Sequence, residues 1–302
     1  MKNKKKKIFR GILLAIFSFF LIFCLNLTIY SFTIKSKVLN SEFIINELKE
    51  ANFYSKIHEQ ILSSFYMKAP IQNQRFSKVF DNALTEEWIE EQINSLINNF
   101  FAYLNSETDE LSLKISTVEF KNNVEKTIRK EIAVFVPPPI VNDEEQISIF
   151  ISEVRAELNK KIPDEINIVE FIEQKGGINF REDMAKLRKG ISYLNLLFYL
   201  SIILIIILIS LISILTKEVK LILRRIGASF FVSGSSLYLG NFLTLSMVSS
   251  KFSEENLPNF ISKEFLMKIL NDILEPINFY GIIFMIIGIV LIIGSFLMTK
   301  KS

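Results

Sequence analysis

Cysteine and histidine are almost missing from this chain: Cys24 and His58 stand alone among 302 residues. A single cysteine excludes an intramolecular disulfide framework, and one histidine without a companion removes the ordinary zinc ligand sets. No glycine-rich phosphate loop occurs, and no serine or cysteine nucleophile sits in a motif with a base. The acidic stretch with Glu107, Asp109 and Glu110 lacks the Asp-x-Asp-x-Asp-Gly spacing of a calcium loop and reads as a solvated helix exit. These gaps lead us to expect no cofactor, no metal and no catalytic residue, and so no enzyme. His58, at the edge of an apolar helical face, reads as structural. A net charge of only +3 gives no reason to invoke nucleic acid.

Charge is missing in a more local way. Four runs carry none: 11–34, 190–216, 226–250 and 276–299. Each exceeds the roughly 20 residues a helix needs to cross about 30 Å of hydrocarbon. The first follows a basic opening of Lys2, Lys4, Lys5, Lys6, Lys7 and Arg10. It is longer than a signal-peptide core and lacks a small-residue cleavage site, so it reads as an uncleaved signal anchor.

The charges between the runs set an expected orientation. Residues 1–10, 217–225 and 300–302 are basic, whereas 33–190 holds 20 basic against 26 acidic residues and 251–275 holds 3 against 5. With four spans the basic segments share one side, which the positive-inside tendency makes cytoplasmic. Tyr30, Tyr193, Tyr238 and Tyr280 then fall near the outer ends of their spans, where amphipathic rings fit the interface. The expected layout is a multi-pass protein of the plasma (cell) membrane with both termini cytoplasmic. A domain at 35–189 and a loop at 251–275 are then extracytoplasmic.

Periodicity makes the large outer segment helical. In "LTEEWIEEQINSLINNFFAYLN" Thr85 can cap, Glu86 and Glu87 suit the first turn, and Ile89, Ile93, Leu96, Ile97, Phe100 and Leu104 line one face. Phe120, Val124, Ile128 and Ile132 form a second stripe, and Ile147, Ile151, Val154 and Leu158 a third. A break near Ala51 and Asn52 separates a short helix from a longer one. Pro137 to Pro139 cannot continue a helix and predict an extended connector dividing the domain. The fold class expected is all-α: four transmembrane helices, with a helical bundle inserted between the first and second.

Beyond the glycines at 176 and 177 the helical pattern continues from 178 to 215, roughly 57 Å of helix. Gly190 lies within it and reads either as a hinge or as a helix contact, the contact being favoured. In the second loop Phe265, Leu266, Ile269, Leu270, Ile273 and Leu274 form one more apolar face, expected to dock on the outer domain.

The absence of ionisable residues inside the runs weighs against a proton-coupled pump. One asparagine marks each span, Asn26, Asn195, Asn241 and Asn278, and their carboxamides are candidates for one interhelical layer near the outer mouth. Small residues at helical spacing, Ser229 and Ser233, Ser236 and Gly240, and Gly281, Gly288 and Ser295, read as packing seams.

The stretches "LTEEWIEEQINSLINNFFAYLNSETDEL" and "LRRIGASFFVSG" together resemble uncharacterised prokaryotic four-span membrane proteins with a helical extracytoplasmic domain. That resemblance implies four spans and a helical outer domain, and it transfers no activity. The expected role is a non-catalytic binding, sensing or scaffold protein anchored in the lipid bilayer, with a protein or lipid partner at the outer domain. A subunit of an oligomeric channel or transporter is the alternative; the sequence leaves the oligomeric state open.

Overall fold

Apolar runs and 3.6-residue stripes of the sequence resolve into helices, because both bury backbone polar groups most simply that way. The computed structural model describes residues 2–68, 74–136, 141, 143–251 and 262–298. The prolines at 137 to 139 and the carboxy-terminal lysines lie outside the described residues. Contacts divide the chain into a span unit, residues 1–40 and 189–302, and a helical unit, residues 41–188.

The span unit contains four helices long and apolar enough to cross a membrane. They are α1 (Lys2–Thr33), α10 (Phe180–Thr216), α11 (Val219–Lys251) and α12 (Lys263–Leu297), with a π-helical turn, Ile34–Val38, ending α1. Two expected elements merge here. The amphipathic face at 265–274 is not a separate helix, because Ser262 caps at Phe265 N (3.1 Å) and α12 then runs unbroken through Pro276. A proline inside a helix removes one backbone bond and breaks the helix only where neighbours do not hold it. Here they do: Ile277 is buried against Ile29 and Leu237. The basic residues Lys220, Arg224 and Arg225 likewise lie inside α11 rather than in a loop.

In the helical unit, α2 (Ser41–Glu50) and α3 (Phe53–Lys68) are separated at Asn52, whose φ of 51° is left-handed. There follow α4 (Gln74–Ala83), α5 (Glu86–Leu104), α6 (Val118–Lys130), α7 (Ile132–Phe135), α8 (Glu144–Lys161) and α9 (Ile168–Gly176). Caps fix several starts. Thr85 accepts from Trp88 N (3.1 Å), Asp143 from Glu145 N and Gln146 N, and Asn167 from Val169 N and Glu170 N. The second expected helix breaks at Glu131, so α6 and α7 are distinct.

The chain is nearly all helical, as expected, and two short strands join the helices of this unit. β1 (Lys114–Ser116) pairs antiparallel with β2 (Glu165–Asn167), Ile115 opposite Ile166. Thr117 N to Asp164 O (2.9 Å) and Ile168 N to Leu113 O (2.8 Å) extend the ladder at its two ends. Three-residue strands are too short to show a period of two.

The core of this unit gathers Val79, Ala83, Leu84, Ile89, Phe120 and Val124, with Ile128 closing it. Each fully buried large apolar side chain contributes about 1.5–3 kcal/mol. Part of each stripe read from sequence meets here: Ile89 and Ile93, Phe120, Val124, Ile128 and Ile132, and Val154 and Leu158.

Candidate functional site

The span unit is organised by backbone proximity. A Cβ built on Gly227 would fall 2.9 Å from Gly288 O, and one on Gly288 would fall 2.6 Å from Phe231 N. A Cβ on Gly234 would overlap Gly281 O outright. Only hydrogen fits at these positions, so α11 and α12 lie against each other at the glycines. Gly227 and Gly234 are seven apart and face Gly288 and Gly281, also seven apart. Continued by one more repeat, the same antiparallel register sets Asn241 opposite Leu274, and Asn241 Nδ2 does donate to Leu274 O (3.3 Å). A strict seven-residue repeat is the spacing of left-handed helix pairing.

Of the small residues singled out from sequence, Gly281 and Gly288 lie on this seam, and Ser295 is fully buried one repeat further on. Ser229 and Ser233 are also buried, and Ser229 returns its hydroxyl to Arg225 O (3.1 Å). Ser233 and Ser236 face α1. Ser233 Oγ donates to Asn26 Oδ1 (2.5 Å), while Asn26 Nδ2 donates to Ser236 Oγ (2.8 Å). Gly240 turns toward Tyr30, whose hydroxyl would sit 3.4 Å from an added Cβ. Gly227 and Gly234 were not singled out, although their spacing of seven, identical to that of Gly281 and Gly288, was readable.

Two of the four asparagines, Asn26 and Asn241, engage partners, and they engage different ones. Asn26 bonds two serines of α11, and Asn241 bonds a backbone carbonyl of α12 while its Oδ1 is buried without a partner among the described residues. Asn195 and Asn278 are half-buried and take no part in these bonds. Thr28 Oγ1 lies 2.7 Å from Ser201 Oγ and joins α1 to α10. Gly190 is exposed on α10. α10 passes through it unbroken, and an added Cβ would meet nothing within 4 Å among the described residues.

The helical unit contains a different kind of feature. Between α4, α6 and α8 lies a cavity of about 330 Å³, lined by Val79, Phe80, Val124, Ile128, Val154 and Leu158. Its volume is within the ~300–1,000 Å³ range of small-molecule sites. Polar groups occur only where Glu157 and Lys161 reach it from successive turns of α8, their side chains paired at 3.2 Å. The walls are the expected stripes of α6 and α8, which meet without filling the space beside Phe80.

The turn after α8 is tied down beside this cavity. Lys121 has no exposed surface, and its Nζ donates to Asp164 Oδ1 (2.6 Å) and Asn159 Oδ1 (3.0 Å). That hydrogen bond and the ammonium charge hold the Asp164 carboxyl below its ordinary range. Thr117 Oγ1 donates to Pro163 O (2.5 Å). No periodicity marked Lys121 as buried, since it neighbours the stripe residue Phe120.

At the end of α5, Arg188 grips the acidic exit loop. It donates to Ser106 Oγ (3.1 Å) and Asp109 Oδ1 (3.0 Å) and lies over the Tyr103 ring at 4.8 Å. Tyr54 is buried and donates to Asn94 Oδ1 (2.6 Å); burial, and then the nearby Glu90, push its hydroxyl up to about 12. His58 Nε2 and Trp88 Nε1 are buried without partners among the described residues. Among those residues no group of three or more His, Cys, Asp or Glu could hold a metal ion. Comparison with protein-family models, with characterised proteins and with solved structures finds no match.

Proposed function

We propose that this chain is a non-catalytic, membrane-anchored binding protein whose helical unit takes up a single-chain amphiphile on the extracytoplasmic side. The observation that carries the reading is the apolar cavity between α4, α6 and α8. A void lined by six apolar side chains with an ion pair at one edge suits an alkyl chain with a polar head. Glu157 and Lys161 are the ionisable groups at this cavity, and neither is set beside a nucleophile, which supports binding rather than chemistry. The orientation rests on the basic segments between the spans, with both termini cytoplasmic and 35–189 and 251–275 outside. A sensing or scaffold role belongs to the same reading, with Gly190 as the bend point of α10.

The alternative, a subunit of an oligomeric channel, is favoured less, because the small residues that could line a pore are occupied in the seam of α11 and α12. The test is a titration of the full-length, delipidated protein with palmitate, followed by native mass spectrometry. One palmitate is expected per wild-type chain. Val124→Phe, which fills the cavity, is expected to abolish that adduct while leaving Trp88 fluorescence native. Equal palmitate retention by the two proteins would overturn the reading.

A further inference from the structure

The basic residues at one end of the span unit are used neither by the seam nor by the cavity. Lys6 and Arg10 lie one turn apart on α1, and Lys220 and Arg224 one turn apart on α11, like-charge spacings that repel. They are nevertheless brought to one place. Arg10 Nη2 donates to Thr216 O (2.8 Å), the last residue of α10, so the basic turn of α1 is fixed beside the turn between α10 and α11. That turn adds Lys217, held at a left-handed φ of 61°, and opposes these cations with one carboxylate, Glu218. The free N–H groups of the first turn of α11 point the positive end of a 33-residue helix toward the same region. Thr216 Oγ1, 3% exposed as a residue, is buried there without a partner among the described residues.

Apolar surface borders the cations closely. Ile8 and Phe9 are exposed between Lys6 and Arg10, and the Arg224 guanidinium lies over the exposed ring of Phe296 at 4.4 Å from its centroid. A soluble anion would use the charges alone. A phosphate carried on acyl chains would use both.

We propose that this end of the span unit is a binding site for an acidic phospholipid. Arg10, Lys217, Lys220 and Arg224 hold its phosphate, and Ile8, Phe9 and Phe296 meet its chains. The site is independent of the cavity in the helical unit, so either assignment can fail alone.

The experiment uses the full chain in nanodiscs of equal phosphatidylglycerol and phosphatidylcholine, released into a native mass spectrometer. Wild type is expected to retain phosphatidylglycerol in several-fold excess. Lys220→Gln with Arg224→Gln is expected to return retention to the bulk ratio, whereas Lys35→Gln with Lys37→Gln, an equal charge change beyond the other end of α1, is expected to keep the excess. Inorganic phosphate in large excess should leave the lipid bound. Retention of the two lipids in the bulk ratio by wild type would overturn the site, as would an excess that survives Lys220→Gln with Arg224→Gln. Displacement by inorganic phosphate would show a soluble-anion site instead and also overturn it. Should the double variant not insert, the wild-type thermal midpoint in phosphatidylglycerol against phosphatidylcholine discs decides, and equal midpoints count against the proposal.

Discussion

The two units of this chain solve the packing problem in opposite ways. In the helical unit large side chains fill the space between helices, and where they fall short a cavity is left beside Phe80 and Val124. In the span unit the closest helices leave no room for side chains at all, and glycine hydrogens meet backbone at Gly227, Gly234, Gly281 and Gly288. The contrast follows from solvent. Water drives large apolar groups inward, but lipid tails are as apolar as leucine and give no such drive, so helices in hydrocarbon gain from close backbone contact and interhelical hydrogen bonds. Added volume should therefore have opposite consequences in the two units, accepted at the cavity and refused at the seam.

The chain carries one native reporter for each unit. Cys24, its sole cysteine, is buried in the core that α1 shares with Leu208 and Ile212, and Trp88, its sole tryptophan, packs against the core of the helical unit. The largest expected effect comes from Gly234→Leu. Its side chain would have to displace Gly281 backbone, which cannot yield as a flexible side chain would, so a loss of about 3 kcal/mol or more is expected. Thermal exposure of Cys24 to a maleimide should move to lower temperature while the Trp88 fluorescence midpoint stays in place. If both midpoints fell together, the two units would not be separate packing problems and the comparison would break.

A smaller effect separates the units by pH. Tyr54 is buried in the helical unit with its hydroxyl on Asn94, and its folded value of about 12 lies above the ordinary value near 10. The raised value means that the unfolded chain loses this proton first. The stabilisation is fully present below about pH 10 and is lost as pH rises toward about 12. Following Trp88 fluorescence in denaturant across that window should show stability falling with pH in wild type. Tyr54→Phe should cost about 1 kcal/mol at neutral pH for the lost hydrogen bond and show a shallower alkaline fall. Identical alkaline slopes would remove Tyr54 from the account. The Cys24 reporter is unsuited here because thiolate formation changes its own reactivity.

What was legible in the sequence divides along the same line. Helical stripes such as Phe120, Val124 and Ile128 depend on many residues and were readable, as were the Thr85 cap and the break at Asn52. The strands at 114–116 and 165–167 were not, because their pairing is a contact between distant segments. Neither the burial of Lys121 nor the cavity beside it follows from any local pattern: the first depends on Asp164 and Asn159 arriving from 38 or more positions away, the second on how three helices fail to close. The seam was half legible. Gly281, Gly288 and Ser295 stood out by their regular spacing, whereas Gly227 and Gly234 were obscured by the serines around them.

The smallest effect tests what the asparagines do. Asn26 joins α1 to α11 through Ser233 and Ser236, and interhelical hydrogen bonds of this kind contribute on average about 0.6 kcal/mol in membranes. Asn26→Leu should lower the Cys24 exposure midpoint slightly, since Cys24 is on the same helix half a turn away. Asn195→Leu and Asn278→Leu, which break none of these bonds, should leave it unchanged. The comparison matters because a single polar layer would make all three substitutions costly together. Equal losses at Asn26, Asn195 and Asn278 would mean that the carboxamides act as one network, and that the span unit is held by a shared ring of hydrogen bonds rather than by one bond between two helices.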